Sequence, residues 1–226
     1  MRESETLDEV IERRVGFLSG YQSRRYARRY STLVERVRVA EDRAVPGSTA
    51  LTDAVARSLF KLMAYKDEYE VARLYTNGHF EKQVASAFEG ENLRYEFHMA
   101  PPVLAKKDPV TGLPRKMSCG PWMLKAMGVL AKFKPLRGTP LDVFGYTHER
   151  RTERQLIREF EGRIEEIVAK LNAGNHATAI GLANIPQKIR GFGHIKERNL
   201  KAAKAEEADL LAKFRGDPQP LQVAAE

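Results

Sequence analysis

Residues 48–75 have the sequence STALTDAVARSLFKLMAYKDEYEVARLY, and this stretch decides the fold class. Its apolar side chains recur every three or four residues, which is typical of the buried stripe of an amphipathic helix. Asn77-Gly78 follows, and glycine is common just past a helix end. We therefore predict one long helix from about Ser48 to Tyr75. The predicted stripe consists of Leu51, Val55, Leu59, Leu62 and Met63.

A second long helix is predicted on the N-terminal side of this stretch. Thr6 and Glu9 have the spacing of a capping box, which marks a helix start. Pro46-Gly47-Ser48 ends the pattern, so two long helices fill residues 6–75 and are expected to pair antiparallel across a short turn. The apolar positions at helical spacing are Leu7, Ile11, Val15, Leu18, Leu33 and Val37.

The spacing of the apolar residues changes after a further short helical segment. From Leu93 to Met99 apolar and polar residues alternate, as in a half-buried strand. Pro101-Pro102 ends this strand, and residues 108–112, DPVTG, are a strong turn signal. We predict a small β-ribbon with a basic tip within residues 91–120.

Residues 121–216 are predicted to form further helices. Pro121 suits the first turn of one helix, and Thr147 suits the cap of another. Pro186 is expected to open a further turn, and Gly191-Phe192-Gly193 interrupts the pattern before a last helix.

The predicted fold class is mostly α, within the α+β class, with antiparallel long helices and one small β-ribbon. We assign residues 6–216 to a single helical domain. It consists of the long helical pair 6–75, the ribbon region 91–120 and the C-terminal helices 121–216. The tail 217–226 contains proline and glutamine and is expected to fray.

Composition limits the function classes. The chain has 226 residues, 42% apolar and 30% charged, which is typical of a globular protein. Cys119 is the only cysteine, so an intrachain disulfide and a cluster held by several cysteines are excluded. The first residues do not resemble a signal peptide, and no run reaches the ~20 apolar residues of a membrane helix. We expect a cytoplasmic protein without a membrane partner, and the net charge of +8 favours an anionic partner.

The strongest charge feature, which we name the arginine face, is a group of arginines with interleaved tyrosines. The arginines are Arg24, Arg25, Arg28 and Arg29, and the tyrosines are Tyr21, Tyr26 and Tyr30. Spacings of one and four residues place the arginines on one side of a helix. Such a face could bind phosphates while the tyrosines stack on bases. The alternatives are an acidic protein partner or water, and the absence of a recognisable nucleic-acid-binding module disfavours nucleic acid.

A second basic stretch is opposed only by Asp108. It consists of Lys106, Lys107, Arg115, Lys116, Lys125, Lys132, Lys134 and Arg137. These side chains could contact a phosphate-bearing ligand such as a coenzyme tail. The alternative is a solvated rim, since the sequence defines no pocket.

Cys119, the histidines and the glycine pair at 191 and 193 carry no recognisable catalytic signature. Cys119 lacks the local sequence of a cysteine hydrolase and is interpreted as part of a packed corner. Gly191-Phe192-Gly193 lacks the third glycine of a phosphate loop and is interpreted as a helix break. The histidines share no metal-ligand spacing and are interpreted as surface or packed residues. They are His79, His98, His148, His176 and His194.

Four glutamates could in principle pair for acid–base chemistry, but carboxylates at such positions normally face water or arginine. They are Glu68, Glu70, Glu165 and Glu166. Glu159 and Arg163, four residues apart, are expected to form an exposed pair on one helix. We assign no catalytic residue and no metal ligand, and the sequence does not identify cofactor-binding residues.

Six phrases are more specific than composition explains. They are KLMAYKDEYEVARLY (61–75), HMAPP (98–102), GPWM (120–123), RGTPLD (137–142), FGY (144–146) and IRGFGH (189–194). In this order they resemble the C-terminal segment of the large, fused indolepyruvate:ferredoxin oxidoreductases of bacteria. The resemblance extends from about Thr6 to Gly216.

The resemblance implies a part in an oxidative decarboxylation. A 2-oxoacid such as indolepyruvate loses CO2, its acyl group passes to coenzyme A, and electrons pass to ferredoxin. Thiamine diphosphate, a divalent metal, an iron–sulfur cluster and coenzyme A are implied for the complete enzyme, on domains upstream of this segment. We expect the segment to bind none of these, to be inactive alone and to have the catalytic domains, fused or separate, as its partner. The alternative is a non-enzymatic, basic nucleic-acid- or anion-binding module.

Overall fold

A computed structural model of the chain describes residues 5–88, 96–99 and 117–216, and these residues are mostly helical. The prediction of a mostly α fold with one small β element is confirmed. The helices are α1 (Leu7–Tyr21), α2 (Arg24–Ala44), α3 (Ala50–Met63), α4 (Glu68–Thr76), α5 (His79–Ala87), α6 (Trp122–Lys132), α7 (His148–Lys170), α8 (His176–Lys188) and α9 (Gly193–Arg215). The strands are β1 (Phe97–Met99) and β2 (Met117–Cys119), and a 3-10 turn spans Lys134–Leu136.

Both predicted long helices are interrupted. The first divides into α1 and α2 at residues 22–23, and the second divides into α3 and α4 at residues 64–67. At the second break Asp67 has an extended backbone, and its carboxylate accepts the N–H of Glu70 at 2.9 Å, which caps α4. The prediction of two uninterrupted helices is wrong. Apolar periodicity continues across residues 64–67 and does not reveal the second break, whereas at the first break the periodic positions stop at Leu18 and resume only at Leu33.

The described residues divide into two compact units. Unit 1 contains residues 5–20, 24–64 and 155–216, and unit 2 contains residues 21–23 and the described part of 65–154. The single domain predicted over 6–216 stays a prediction. The chain passes from unit 1 to unit 2 and back, and no stretch of linker-like composition marks these crossings.

Unit 1 is built around α3, which contacts α2 and α8, while α8 also contacts α9. A helix that buries residues on several sides lies inside a bundle, and the whole predicted stripe is buried. The buried residues of α3 are Leu51, Thr52, Ala54, Val55, Ala56, Ser58, Leu59, Leu62 and Met63. Helix α8 continues through Pro186, where we predicted a new turn, and ends two residues later at Lys188.

Unit 2 contains the β-ribbon and α4 to α6. Strands β1 and β2 pair antiparallel, with Phe97 opposite Cys119, as the ribbon prediction required, while its predicted basic tip lies outside the described residues. Phe97 and Cys119 are buried with Ala72 of α4 and Met127 of α6. One face of the ribbon therefore packs on a small apolar core.

A buried carboxylate, Glu41, connects the end of α2 to the start of α3 within unit 1. It accepts the N–H groups of Leu51 and Thr52, both at 2.8 Å, and the Thr52 hydroxyl at 2.7 Å. The Ser48 hydroxyl at 2.9 Å and the His176 Nε2 at 2.8 Å complete its contacts. The first N–H groups of a helix have no partner within that helix, and Glu41 supplies one. Burial opposes its charge, but these hydrogen bonds outweigh burial and lower the pKa of Glu41 to about 2.

Glu41→Gln is expected to lower the free energy of unfolding by about 2–3 kcal/mol at pH 6, because the amide leaves buried donors without an acceptor. Because the pKa of Glu41 is lowered from its ordinary value of 4.5, the carboxylate contributes its full stabilisation above pH 4.5. This stabilisation is lost as the pH falls towards 2. Urea unfolding at pH 6 and pH 3 should therefore show a smaller gap between wild type and variant at pH 3. Glu197→Gln, at an exposed position, is the control. An equal effect of the two substitutions at pH 6 would show that the Glu41 contacts do not stabilise unit 1.

Candidate functional site

The most extensive buried polar network in unit 2 begins with an ion pair between Asp67 and Arg137. The Arg137 Nε lies 2.5 Å from one carboxylate oxygen of Asp67, and Nη2 lies 2.8 Å from the other. Both side chains are almost completely buried. Asp67 also caps α4, so this single carboxylate fixes the start of a helix and holds the residue that follows the 3-10 turn.

Aromatic residues surround the guanidinium of Arg137. Its Nη1 donates to the Tyr21 carbonyl oxygen at 2.7 Å, and its Cζ lies 3.7 Å from the centre of the Tyr21 ring. The Tyr21 hydroxyl donates to the Tyr65 carbonyl oxygen at 2.7 Å. Burial opposes the charge of Arg137, but the hydrogen bonds to Asp67 and the nearby negative charge outweigh it and raise the pKa of Arg137. The guanidinium therefore stays charged in the interior of unit 2.

A second carboxylate, Asp142, closes the loop that follows Arg137, which we name the 137–146 loop. Asp142 accepts the N–H of Gly138 at 2.7 Å, the N–H of Gly145 at 3.1 Å and the Tyr69 hydroxyl at 3.2 Å. A Cβ at Gly145 would lie 2.5 Å from the Asp142 carboxylate, so the loop closes only with glycine at this position. The Arg154 guanidinium donates to the Gly145 carbonyl oxygen at 2.6 Å and fixes the same turn.

The outer side of the 137–146 loop carries apolar side chains. Leu141 is 69% exposed, Val143 is 67% exposed and Tyr146 is 56% exposed. The Tyr146 hydroxyl donates to the Pro140 carbonyl oxygen at 2.6 Å, which holds this ring against its own loop. The loop is therefore fixed from within unit 2 and exposes large apolar groups, a combination that is common at protein contact sites.

The network is suited to support rather than to catalysis. Each carboxylate oxygen of Asp67 and Asp142 already accepts a hydrogen bond or contacts a guanidinium. Burial, with the adjacent carboxylates, raises the pKa of Tyr65 and of Tyr69 to about 12, so both hydroxyls stay protonated near neutral pH. The paired carboxylates of this buried network fix one arrangement of the chain.

The comparison with protein families covers both units. Residues 7–209 match the family of unknown function DUF6537. The chain belongs to this family. No curated protein and no solved structure matches it. The matched residues include the whole network and the 137–146 loop, so both lie within the part of the chain that defines the family.

Among the described residues of this DUF6537 member, Arg137 does not lie with the exposed lysines of the second basic stretch. Lys125 and Lys132 are exposed on α6, whereas Arg137 is buried against Asp67. The interpretation of Arg137 as part of a solvated or ligand-binding rim is therefore wrong. Its partner lies 70 residues earlier in the chain, and local sequence gives no sign of such a contact. Lys106, Lys107, Arg115 and Lys116 lie outside the described residues.

The arginine face is exposed, but its tyrosines are not available for stacking. The Tyr30 hydroxyl donates to the Ala56 carbonyl oxygen and that of Tyr26 to the Met63 carbonyl oxygen, at 3.2 and 2.9 Å. Tyr21 is fully buried. All four arginines are exposed, and Arg29 forms an ion pair with Glu161. The part of the prediction in which tyrosines stack on bases is wrong for Tyr21 and Tyr30, whose rings are buried, while Tyr26 is half-buried and held to the Met63 carbonyl oxygen.

The candidate acid–base carboxylates pair with basic side chains, as expected. Glu68 lies 3.5 Å from Arg150, Glu70 pairs with Arg73, Glu165 with Arg36, and Glu166 with both Lys170 and Arg215. The predicted pair between Glu159 and Arg163 is wrong. Each residue instead contacts α9, Glu159 through Lys204 and Arg163 through Glu207. The ion-pair partners of both residues therefore lie on α9 rather than one turn along α7.

The remaining candidates occupy structural positions. Cys119 is buried in the apolar core of unit 2, as the packed-corner interpretation required. His176 packs against Glu41, and the other histidines are exposed. Gly191 has a φ of +98°, and Gly193 is the first residue of α9, so the helix-break interpretation is confirmed.

Within the described ranges, no three His, Cys, Asp or Glu side chains are placed to hold a metal ion. No helix in the part of the chain that the structure describes is long and apolar enough to cross a membrane.

One depression of the surface belongs to unit 1. It has a volume of about 650 Å³ and lies among α1, α2 and α7, with Ile11, Val39 and Val168 in its lining. Its lining also includes Arg36, which pairs with Glu165. Its lining thus mixes apolar side chains with polar ones, among them Ser31, Thr32 and Glu35.

Sequence reasoning missed the roles of Asp67 and Asp142. An Asp-x-x-Glu pattern at 67–70 is a helix-start signal inside the stretch that we assigned to one helix. Asp142 precedes Gly145 by three residues, which is a usual spacing for a side chain that closes a turn. The helix-start signal at Asp67 was overlooked because apolar periodicity predicted a continuous helix there. The turn signal at Asp142 was overlooked because its segment was interpreted only as a connector.

Proposed function

We propose that this chain is the C-terminal segment of a thiamine-dependent indolepyruvate or other 2-oxoacid:ferredoxin oxidoreductase, and that it serves as a non-catalytic docking module in the cytoplasm. The complete enzyme would oxidatively decarboxylate a 2-oxoacid to an acyl-CoA and pass the electrons to ferredoxin. The support is the resemblance of the six ordered phrases, which fall within the DUF6537 match.

The observation that carries the proposal is that three of these phrases meet in one network. Asp67 and Tyr69 belong to the phrase 61–75, Arg137 and Asp142 to the phrase 137–142, and Gly145 to the phrase 144–146. Their common effect is to fix the 137–146 loop. Phrases that are far apart in sequence therefore support a single exposed apolar loop rather than a reaction centre.

Two of the cofactors implied for the complete enzyme, the iron–sulfur cluster and the divalent metal, do not fit the described residues of this chain. An iron–sulfur cluster needs several thiolates, and the lone thiol of Cys119 is buried among apolar side chains. The described carboxylates that could hold a divalent metal are paired with basic groups instead. We propose that the catalytic domains hold thiamine diphosphate, the metal, the cluster and coenzyme A, as the resemblance implies.

A docking role explains why the 137–146 loop is fixed before any partner binds. Ordering a flexible loop on binding reduces affinity, and a loop already held by Asp142 and Arg137 avoids that loss. Leu141, Val143 and Tyr146 then supply apolar surface to the contact. The catalytic domains of the same enzyme are the partner that we propose for this surface.

Two measurements test this function. The DNA upstream of the coding sequence should contain an open frame or neighbouring gene for thiamine-enzyme domains; their absence would count against the proposal. The purified chain, supplied with indolepyruvate, coenzyme A and a redox dye, should reduce no dye. Substrate-dependent turnover by the chain alone would contradict its non-catalytic role.

The alternative function is a basic nucleic-acid- or anion-binding module, and the exposed arginine face is the observation that favours it. Phosphate binding releases counterions, so genuine binding of duplex or single-stranded DNA should weaken steeply as salt rises. Absence of binding at low salt would remove this alternative. The internal hydrogen bonds of Tyr26 and Tyr30 already argue against its base-stacking form.

A further inference from the structure

Helices α2 and α7 of unit 1 are joined by a ladder of arginine–glutamate pairs. Arg29 binds Glu161 through two nitrogens, with Nε 2.5 Å from one carboxylate oxygen, and Arg36 binds Glu165 in the same two-nitrogen manner. The two arginines are seven residues apart on α2, and the two glutamates are four residues apart on α7. Both spacings keep the side chains on one face of their helix. The ladder therefore runs along facing sides of the two helices.

One turn towards the start of both helices, the arginine–glutamate pairing does not continue. Arg25 lies four residues before Arg29, and Arg158 lies three residues before Glu161, so each continues the same face. Both are exposed, and the residue on α7 is an arginine here, whereas the two pairs of the ladder have a glutamate on α7. Arg24 and Arg28 are exposed beside Arg25. We name Arg24, Arg25, Arg28 and Arg158 the arginine end.

The four side chains of the arginine end have no carboxylate partner among residues 5–88, 96–99 and 117–216. The first turn of α2 also contains no acidic residue. Like charges on neighbouring turns repel each other, and positive charge near a helix start is unfavourable. The arginine end is therefore less stable in the isolated chain than it would be against an anion-bearing partner.

We propose that the arginine end binds a carboxylate-rich helical segment of a protein partner and thereby continues the arginine–glutamate ladder of α2 and α7. The chemistry of the same face supports a carboxylate, since Arg29 and Arg36 each bind one with two nitrogens. The interleaved Tyr26 and Tyr30 are bonded internally and offer no stacking platform for nucleic acid. This surface belongs to unit 1 and does not depend on the oxidoreductase function proposed above.

Fluorescence anisotropy of a labelled helical peptide with glutamates four residues apart tests the proposal. The full chain is compared with a variant in which the four arginines of the arginine end are replaced by glutamine. The charge-matched control carries Lys125→Gln, Lys132→Gln, Arg198→Gln and Lys201→Gln, all at exposed positions. We expect the arginine-end variant to bind the peptide roughly tenfold more weakly and the control to change little, because diffuse net charge contributes less than paired groups.

Three results would overturn the proposal. The first is a loss of peptide affinity in the control variant equal to that in the arginine-end variant. The second is binding of a peptide with glutamine in place of glutamate as tightly as the acidic peptide. The third is tighter binding of duplex DNA of the same length than of the acidic peptide. The smaller variant Arg25→Gln with Arg158→Gln should show part of the loss. Circular dichroism should show both variants as helical as the wild type, because the substitutions relieve repulsion at exposed positions.

Discussion

Replacing Arg137 with methionine is expected to lower the stability of unit 2 by about 3–5 kcal/mol, because it leaves the buried carboxylate of Asp67 without its cationic partner. Methionine keeps much of the side-chain volume, so the loss reports the missing charge and hydrogen bonds. The Tyr21 carbonyl oxygen also loses a donor. Trp122 is the only tryptophan and lies in unit 2, so its fluorescence during urea unfolding follows this unit.

A double substitution separates the ion pair from the helix cap. Asp67→Asn keeps a side chain that can cap α4 but removes the charge, since asparagine caps helices as well as aspartate. Combined with Arg137→Met, it should recover part of the stability that the single substitution loses. Arg151→Met, at an exposed position of unit 2, should change stability by less than about 0.5 kcal/mol. A loss below about 1 kcal/mol for Arg137→Met would show that the network does not hold unit 2 together.

Replacing both Leu141 and Val143 with aspartate is expected to weaken association with the catalytic domains about 100-fold, because charged groups would enter the apolar centre of the proposed contact. The fold should be unchanged, since both side chains point to solvent in the free chain. A titration of the separately expressed catalytic polypeptide with labelled chain, followed by fluorescence, gives the change in affinity.

The matched control for the loop is Val129→Asp. Val129 is also an exposed apolar residue of unit 2, but it lies on α6 outside the 137–146 loop. Association should be nearly unchanged in this variant. If Val129→Asp weakens association as much as the loop variant does, the contact is not made by the 137–146 loop.

The sequence predicted those features that depend on local pattern. The Thr6–Glu9 capping box is present, with the Thr6 N–H 2.7 Å from the Glu9 carboxylate. Thr147 precedes α7 and its hydroxyl accepts the N–H of Arg150 at 3.3 Å, as the predicted cap required. The residues predicted to be buried in α3 are buried because apolar periodicity reports directly on which face meets the core.

Features that depend on partners distant in sequence were not predictable in this way. Arg137 stands among lysines, and only the fold shows that it turns inward to Asp67. Glu159 and Arg163 have ideal spacing for each other, yet partners on α9 compete successfully for both. The fixed conformation of the 137–146 loop also depends on a distant partner, because Tyr69 donates to Asp142, which lies 73 residues later in the sequence.

The most direct test of the proposed docking role is anaerobic reduction of methyl viologen, dependent on indolepyruvate and coenzyme A, by the catalytic polypeptide with and without this chain. We predict no reduction by the chain alone and a higher rate when the wild-type chain is added to the catalytic polypeptide. The Leu141→Asp, Val143→Asp variant should not raise the rate. Turnover by the chain alone, or a catalytic rate that the wild-type chain leaves unchanged, would contradict the account.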